Sequence, residues 1–134
     1  MAHITGQEVR ARLRTLTEIE VSDETLALAP YIPAGDAWLD VVLGKEEKEF
    51  SSLDNNAAAL AKSAEIAFVA HKVISSAPVR GSKSGPVEIK PVSQENKEKM
   101  CELLKKEWTH YLQLIGCSVE DDWWTGHFGS TYYD

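Results

Sequence analysis

The stretch that decides the fold is Asn55-Asn56-Ala57-Ala58-Ala59-Leu60-Ala61-Lys62-Ser63-Ala64-Glu65-Ile66-Ala67-Phe68-Val69-Ala70-His71-Lys72-Val73-Ile74-Ser75-Ser76. Alanine favours helix intrinsically, because it loses no side-chain freedom there and hides no polar group. Leu53, Ala57, Leu60, Ala64, Phe68 and Val69 recur at three- and four-residue steps, the spacing of one helix face. A helix is predicted from Asn55 to Ser76, and its small residues permit close approach of another helix. Pro78 ends it, having no amide hydrogen to donate.

Working upstream, Thr5-Gly6-Gln7-Glu8 has capping-box spacing. The Thr5 hydroxyl can accept from the third amide while Glu8 reaches back, so a short helix follows with Val9, Leu13 and Leu16 near one face. Ser22-Asp23-Glu24 is a second start signal, a cap followed by acids that suit the positive helix end. Pro30 and Pro33 then interrupt the pattern. A break or sharp kink is expected from Pro30 to Gly35, with helix resuming through Trp38, Leu39, Val42 and Leu43. Gly44 is placed to end that helix in a left-handed cap. Lys45 to Glu49 reads as a charged, exposed link.

Working downstream, Val79 to Val92 contains Gly81, Gly85, Pro86 and Pro91 and makes poor helix. Val87-Glu88-Ile89-Lys90 alternates apolar and polar, as a short strand does. A long projecting loop or short β-hairpin over residues 79–92 is expected, presenting Arg80, Lys83, Val87 and Ile89. Ser93 caps the last long helix, where Met100, Leu103, Leu104, Trp108, Tyr111, Leu112 and Ile115 follow a 3.6-residue period. Gly116 is its natural stop. Beyond it the chain holds no Lys or Arg and five of its eleven aromatics: Trp123, Trp124, Phe128, Tyr132 and Tyr133. So many exposed aromatics would be an aggregation liability unless a neighbour covers them, and Trp and Tyr carry much of the energy at interfaces. The expected architecture is mainly α. It is a small helical bundle over 1–116 with the 79–92 loop before the last helix, and an extended C-terminal arm over 117–134.

The chain has 134 residues, enough for one domain. Its net charge is -7 and its basic residues are scattered, which argues against general nucleic-acid binding. Arg10, Arg12 and Arg14 are the densest basic group and read as a solvated helix face. The two cysteines, Cys101 and Cys117, make no disulfide framework. Nothing resembles a signal peptide, and no apolar run approaches the ~20 residues needed to cross a bilayer. A reducing cytoplasm with free thiols is the expected setting.

Catalytic and metal spacings are not found. His3, His71, His110, His127, Cys101 and Cys117 are dispersed singly, without paired ligand spacing, so no metal or cofactor is expected. Gly81-Ser82-Lys83-Ser84-Gly85 carries Lys at the centre of what would be a nucleophile elbow, and it is not a phosphate loop. Glu120, Asp121 and Asp122 lack an EF-hand pattern and read as an acidic entrance to the arm. His71 reads as a core-edge or exposed histidine, and Trp38, Trp108 and Tyr111 as core aromatics. No catalytic residue is expected. A pocket that gathered histidine and acidic side chains with shifted pKa values would favour an enzyme instead.

The order of elements carries a resemblance. Ile4-Thr5-Gly6-Gln7-Glu8-Val9-Arg10 opens a capped helix and Val21-Ser22-Asp23-Glu24-Thr25-Leu26 the next. Ala37-Trp38-Leu39-Asp40 and Leu43-Gly44 follow, then the Ala-rich helix, then a Gly/Ser/Lys loop leading to Val87-Glu88-Ile89. The last helix ends in Glu107-Trp108-Thr109-His110-Tyr111-Leu112 and Ile115-Gly116. From Ile4 to Gly116 this resembles the head–tail connector (adaptor) proteins of tailed bacteriophages. The two prolines between Leu28 and Ala37 depart from a continuous second helix. The resemblance implies a ring, commonly of about twelve copies, joined by heterologous contacts under the portal protein. It implies a virion neck component, assembled in the host cytoplasm, that extends the DNA channel without sequence-specific binding and offers a platform to the tail or next neck protein. Carried onto this chain, residues 119–134 become the portal-facing arm and 79–91 the projecting loop. Ala57, Leu60, Ala64 and Phe68 are the candidate subunit-packing surface. An acidic wall would keep DNA from sticking. The alternative reading is a non-viral helical adaptor that binds one protein partner through its aromatic tail. A third is a small enzyme with a site assembled from dispersed residues.

Overall fold

The computed structural model describes residues 3–16, 21–76 and 94–117. Five α-helices and one 3-10 turn occur among them, with no strand: α1 (Gly6–Arg14), α2 (Asp23–Leu26), α3 (Ile32–Lys45), the turn Phe50–Ser52, α4 (Asn55–Ser76) and α5 (Gln94–Leu114). The chain is therefore a small, mainly α bundle, as its periodicity predicts. The 79–92 loop and residues 118–134 of the arm lie outside the described residues. Cys117, assigned to the arm from sequence, is 1% exposed and belongs to the core of the body.

The start signals act as their chemistry requires. The Glu8 amide donates to Thr5 Oγ1 at 3.2 Å and the Thr5 amide to Glu8 Oε1 at 2.9 Å, closing the capping box of α1. Ser22 Oγ accepts from the Thr25 amide at 3.1 Å and opens α2, which lasts one turn. Val9, Leu13 and Leu26 are buried from these two elements.

The expected break at Pro30 to Gly35 is shorter than the sequence suggests. α3 already begins at Ile32, and Pro33 lies in its first turn, where a missing amide hydrogen has no helical partner to lose. Gly35 continues the helix because α3 runs close against α4 there. A Cβ at Gly35 would stand 2.6 Å from Val69 Cγ2 and 3.1 Å from Glu65 Cγ.

Both predicted glycine stops were tested by the geometry, with opposite results. At α5, Gly116 takes φ +82, the Cys117 amide reaches Leu112 O at 2.8 Å, and the Gly116 amide reaches Gln113 O at 3.1 Å. That is a Schellman cap with glycine at its left-handed position. At α3, Gly44 stays helical. The same pair of bonds forms three residues later, from Lys48 to Leu43 O at 2.9 Å and from Glu47 to Gly44 O at 3.1 Å. Glu47, at φ 57, occupies the left-handed position in place of a glycine.

α4 is the axis of the bundle. Ala67, Phe68, Val69 and Ala70 are consecutive and all buried, so neighbours cover the helix on every side. α5 runs antiparallel along it, for Ser75 meets Cys101, Phe68 meets Trp108, and Leu60 shares a groove with Leu114. α1 and α3 pack on α4 from other directions, and Arg12 of α1 pairs with Glu107 of α5. Trp38 stacks on Phe68 at 4.3 Å, and Trp108 meets Trp38 at 5.6 Å and Phe68 at 5.4 Å. This trio joins α3, α4 and α5, and such pairs add roughly 0.5–1.5 kcal/mol beyond area burial.

That arrangement corrects one expectation. Ala64 and Phe68 are 0% and 1% exposed within the single chain, so they cannot form a surface between subunits. The small residues of α4 admit helices of the same chain. Ala57 and Leu60, nearer the start of α4, stay half-buried. Leu103 also departs from its expected place on the buried stripe of α5 and is 45% exposed. No described helix is long and apolar enough to cross a membrane.

Candidate functional site

Where α3 crosses α4 at Gly35, the chain gathers polar side chains into its core. Glu65 projects from the centre of α4 with 0% exposure. Asp36 follows Gly35 on α3. His3 precedes the capping box of α1 and is tied to α3 twice. Its amide donates to Asp36 Oδ1 at 3.0 Å, and its ring Nε2 lies 3.0 Å from Asp40 Oδ1. The ring also stacks on Phe50 at 4.2 Å. His3, Asp36 and Glu65 each offer a ligand atom within 4.8 Å of the others.

Neither oxygen of Glu65 has a hydrogen-bond donor among the described residues. Asp36 faces it, but two carboxylates offer each other only acceptors unless one carries a proton. Burial pushes the Glu65 carboxyl up to about 10, and Asp36 pushes it further as a hydrogen-bond acceptor and by its charge, followed by the charges of Asp40 and Glu8. Lys62 pairs with Glu8 at 3.5 Å. The cluster can hold a proton between Asp36 and Glu65, or a cation among all three residues.

A second polar group lies between α4 and α5. Ser75 Oγ stands 3.4 Å from His71 Nδ1 and 3.6 Å from Cys101 Sγ. Burial lowers His71 to about 4, aided by Lys72 and Lys105, and its ring meets Trp108 edge-on at 5.1 Å. Burial raises the Cys101 thiol, opposed by Ser75 and Lys97. A nucleophilic cysteine needs the reverse, a lowered pKa that populates thiolate. This group therefore resembles packing more than catalysis.

The residues singled out from sequence fall elsewhere. Trp123, Trp124, Phe128, Tyr132 and Tyr133 of the arm, and Arg80, Lys83, Val87 and Ile89 of the loop, lie outside the described residues. Of the packing set, Ala64 and Phe68 are core, and Leu60 with Ala57 borders an open groove closed by Leu114 and Ile115. Sequence reasoning missed Glu65, Asp36 and His3 as a group. One signal for Glu65 was present: an acid set among Ala64, Ala67, Phe68 and Val69 has no polar face to occupy. No protein-family model, curated protein or solved structure matches this chain.

Proposed function

We propose that this chain is a structural assembly subunit, a head–tail connector of a tailed bacteriophage, which forms a ring under the portal and offers a platform to the next neck component. The observation that carries the reading is the order of its elements. A boxed start at Thr5, a capped start at Ser22, a Trp-bearing third helix, an Ala-rich axis and a Trp-bearing last helix follow one another, an order that resembles that family. The work is mechanical: oligomerise, dock, and continue the channel through which DNA passes without sequence-specific binding.

With Ala64 and Phe68 committed to the core, contact with a neighbouring subunit falls to exposed apolar residues. Leu103 and Leu114 are 45% and 58% exposed and lie eleven residues apart on α5, close to three full turns. They therefore share one outer stripe. The aromatic arm would supply the portal contact.

The gathering of His3, Asp36 and Glu65 is the kind of feature that would favour an enzyme. Its central carboxyl is sealed, and a general acid or base must come within hydrogen-bond reach of its substrate. The cluster therefore supports a structural role better than a catalytic one. The test is to mix the purified chain with a portal ring and weigh the product by native mass spectrometry. A ring of about a dozen copies supports the connector. A one-to-one complex with a non-viral protein, made through the aromatic tail, supports the adaptor reading instead.

A further inference from the structure

We propose that His3, Asp36 and Glu65 form a binding site for one divalent transition-metal ion of the zinc or manganese kind, which ties the segment before α1 to α3 and α4. The first support is the state of Glu65. It is wholly buried, and both carboxyl oxygens lack a donor. Buried acceptors without partners are rare in native proteins, and an ion is one of the few things that satisfies them. A proton shared with Asp36 would serve one oxygen only.

The second support is geometry. For three atoms that all lie within 4.8 Å of one another, some point lies within about 2.8 Å of all three. Side-chain adjustments of under about 1 Å reach the 2.0–2.2 Å that nitrogen and oxygen ligands take on zinc. The donor set selects the ion class: one imidazole nitrogen with two carboxylate oxygens suits first-row transition ions, whereas calcium and magnesium take oxygen ligands.

The third support is the shell around the ligands. A metal-bound histidine normally hands its other ring nitrogen to a carboxylate, which fixes the tautomer. Asp40 Oδ1 stands 3.0 Å from His3 Nε2, the kind of carboxylate partner that this role requires. Asp36 is itself anchored by the His3 amide. Asp36, Asp40 and Glu8 crowd negative charge around Glu65, and Lys62 is paired to Glu8. Asp36 also lines an open groove with Ile4, Gly6, Arg10 and Pro33.

The inference is independent of the connector reading. Its test uses the full chain, free of any histidine tag and stripped with chelator. Zinc sulfate is titrated in by calorimetry, thermal unfolding is followed in parallel, and Co2+ serves as a spectroscopic probe. The expected result is one ion per chain and an unfolding temperature that climbs with free zinc. His3→Gln and Asp36→Asn should each weaken binding about tenfold or more, and Glu65→Gln about a hundredfold. Magnesium and calcium should give no comparable shift. Failure of the native chain to bind zinc stoichiometrically overturns the proposal. So does binding that survives unchanged in His3→Gln or in Asp36→Asn, because the ion would then sit elsewhere. If Glu65→Gln fails to fold, those two variants decide the matter, since both side chains lie at the rim.

Discussion

Two glycines of α3 make a matched experiment, because they share a helix and differ in what surrounds them. Gly35→Ala adds a methyl group 2.6 Å from Val69 Cγ2, with Glu65 Cγ at 3.1 Å and Glu65 Oε2 at 3.2 Å. Val69 is buried and β-branched, so it holds a single favoured rotamer in a helix and cannot swing away. The two helices must part instead, at a cost of about 1–3 kcal/mol. Gly44→Ala adds the same methyl group with nothing within 4 Å. Each change gains up to about 1 kcal/mol of helix propensity. The difference between the two variants therefore removes propensity and leaves the packing cost. Urea unfolding at pH 7 measures both. Gly44→Ala should raise the midpoint and Gly35→Ala should lower it, a spread of about 1–3 kcal/mol with an unchanged m-value. Equal shifts of the same sign would refute the close approach of α3 to α4, and with it the placement of Asp36 over Glu65.

Other outcomes are expected from the same structure. Glu47→Gly should stabilise the chain by about 1 kcal/mol, because Glu47 holds the left-handed position of the α3 cap at φ 57; thermal unfolding checks it. His71 binds its proton less readily folded, at about 4, than unfolded, at 6.5. Its contribution is therefore complete above pH 6.5 and lost as pH falls toward 4, by about 3 kcal/mol at most; the native chain minus His71→Gln, in urea melts at each pH, isolates this slope. Glu65 works in the opposite sense, since its carboxyl is raised from 4.5 to about 10. Its contribution is complete below pH 4.5 and declines as pH rises toward 10, so in chelator the native chain should weaken between pH 6.5 and 8.5 by about 1.4 kcal/mol per unit. Glu65→Gln, which carries no titrating proton, should flatten that decline, and an unaltered decline would show that some other group is responsible.

Much of the helical framework was legible in the residues because the forces that write it are local. A capping box spans four residues, and Thr5 with Glu8 closes without help from the rest of the chain. A Schellman cap spans six, and Gly116 takes its left-handed place for want of a Cβ. Periodicity located the buried Leu104, Trp108 and Leu112 of α5, since one face of a helix repeats every few residues whatever it packs on. The same local reasoning failed at α3. Gly44 had the right type for a stop, yet the helix ran on and Glu47 took the strained position. Gly35 read as part of a break, yet it is the contact point between two helices.

Those failures share a cause with the missed site. Local signals say that a helix exists and where its apolar residues lie, but not which neighbour will cover them. Sequence alone determined a mainly helical, acidic chain with strong start signals and an alanine-rich central helix. Tertiary packing decided that this helix would be surrounded by its own chain, which removed Ala64 and Phe68 from any surface between subunits. It also decided that His3, Asp36 and Glu65 would meet. Those three are far apart in the chain and follow no shared spacing, so only the crossing of α3 over α4 at Gly35 brings the two carboxyls together and leaves Glu65 without a donor.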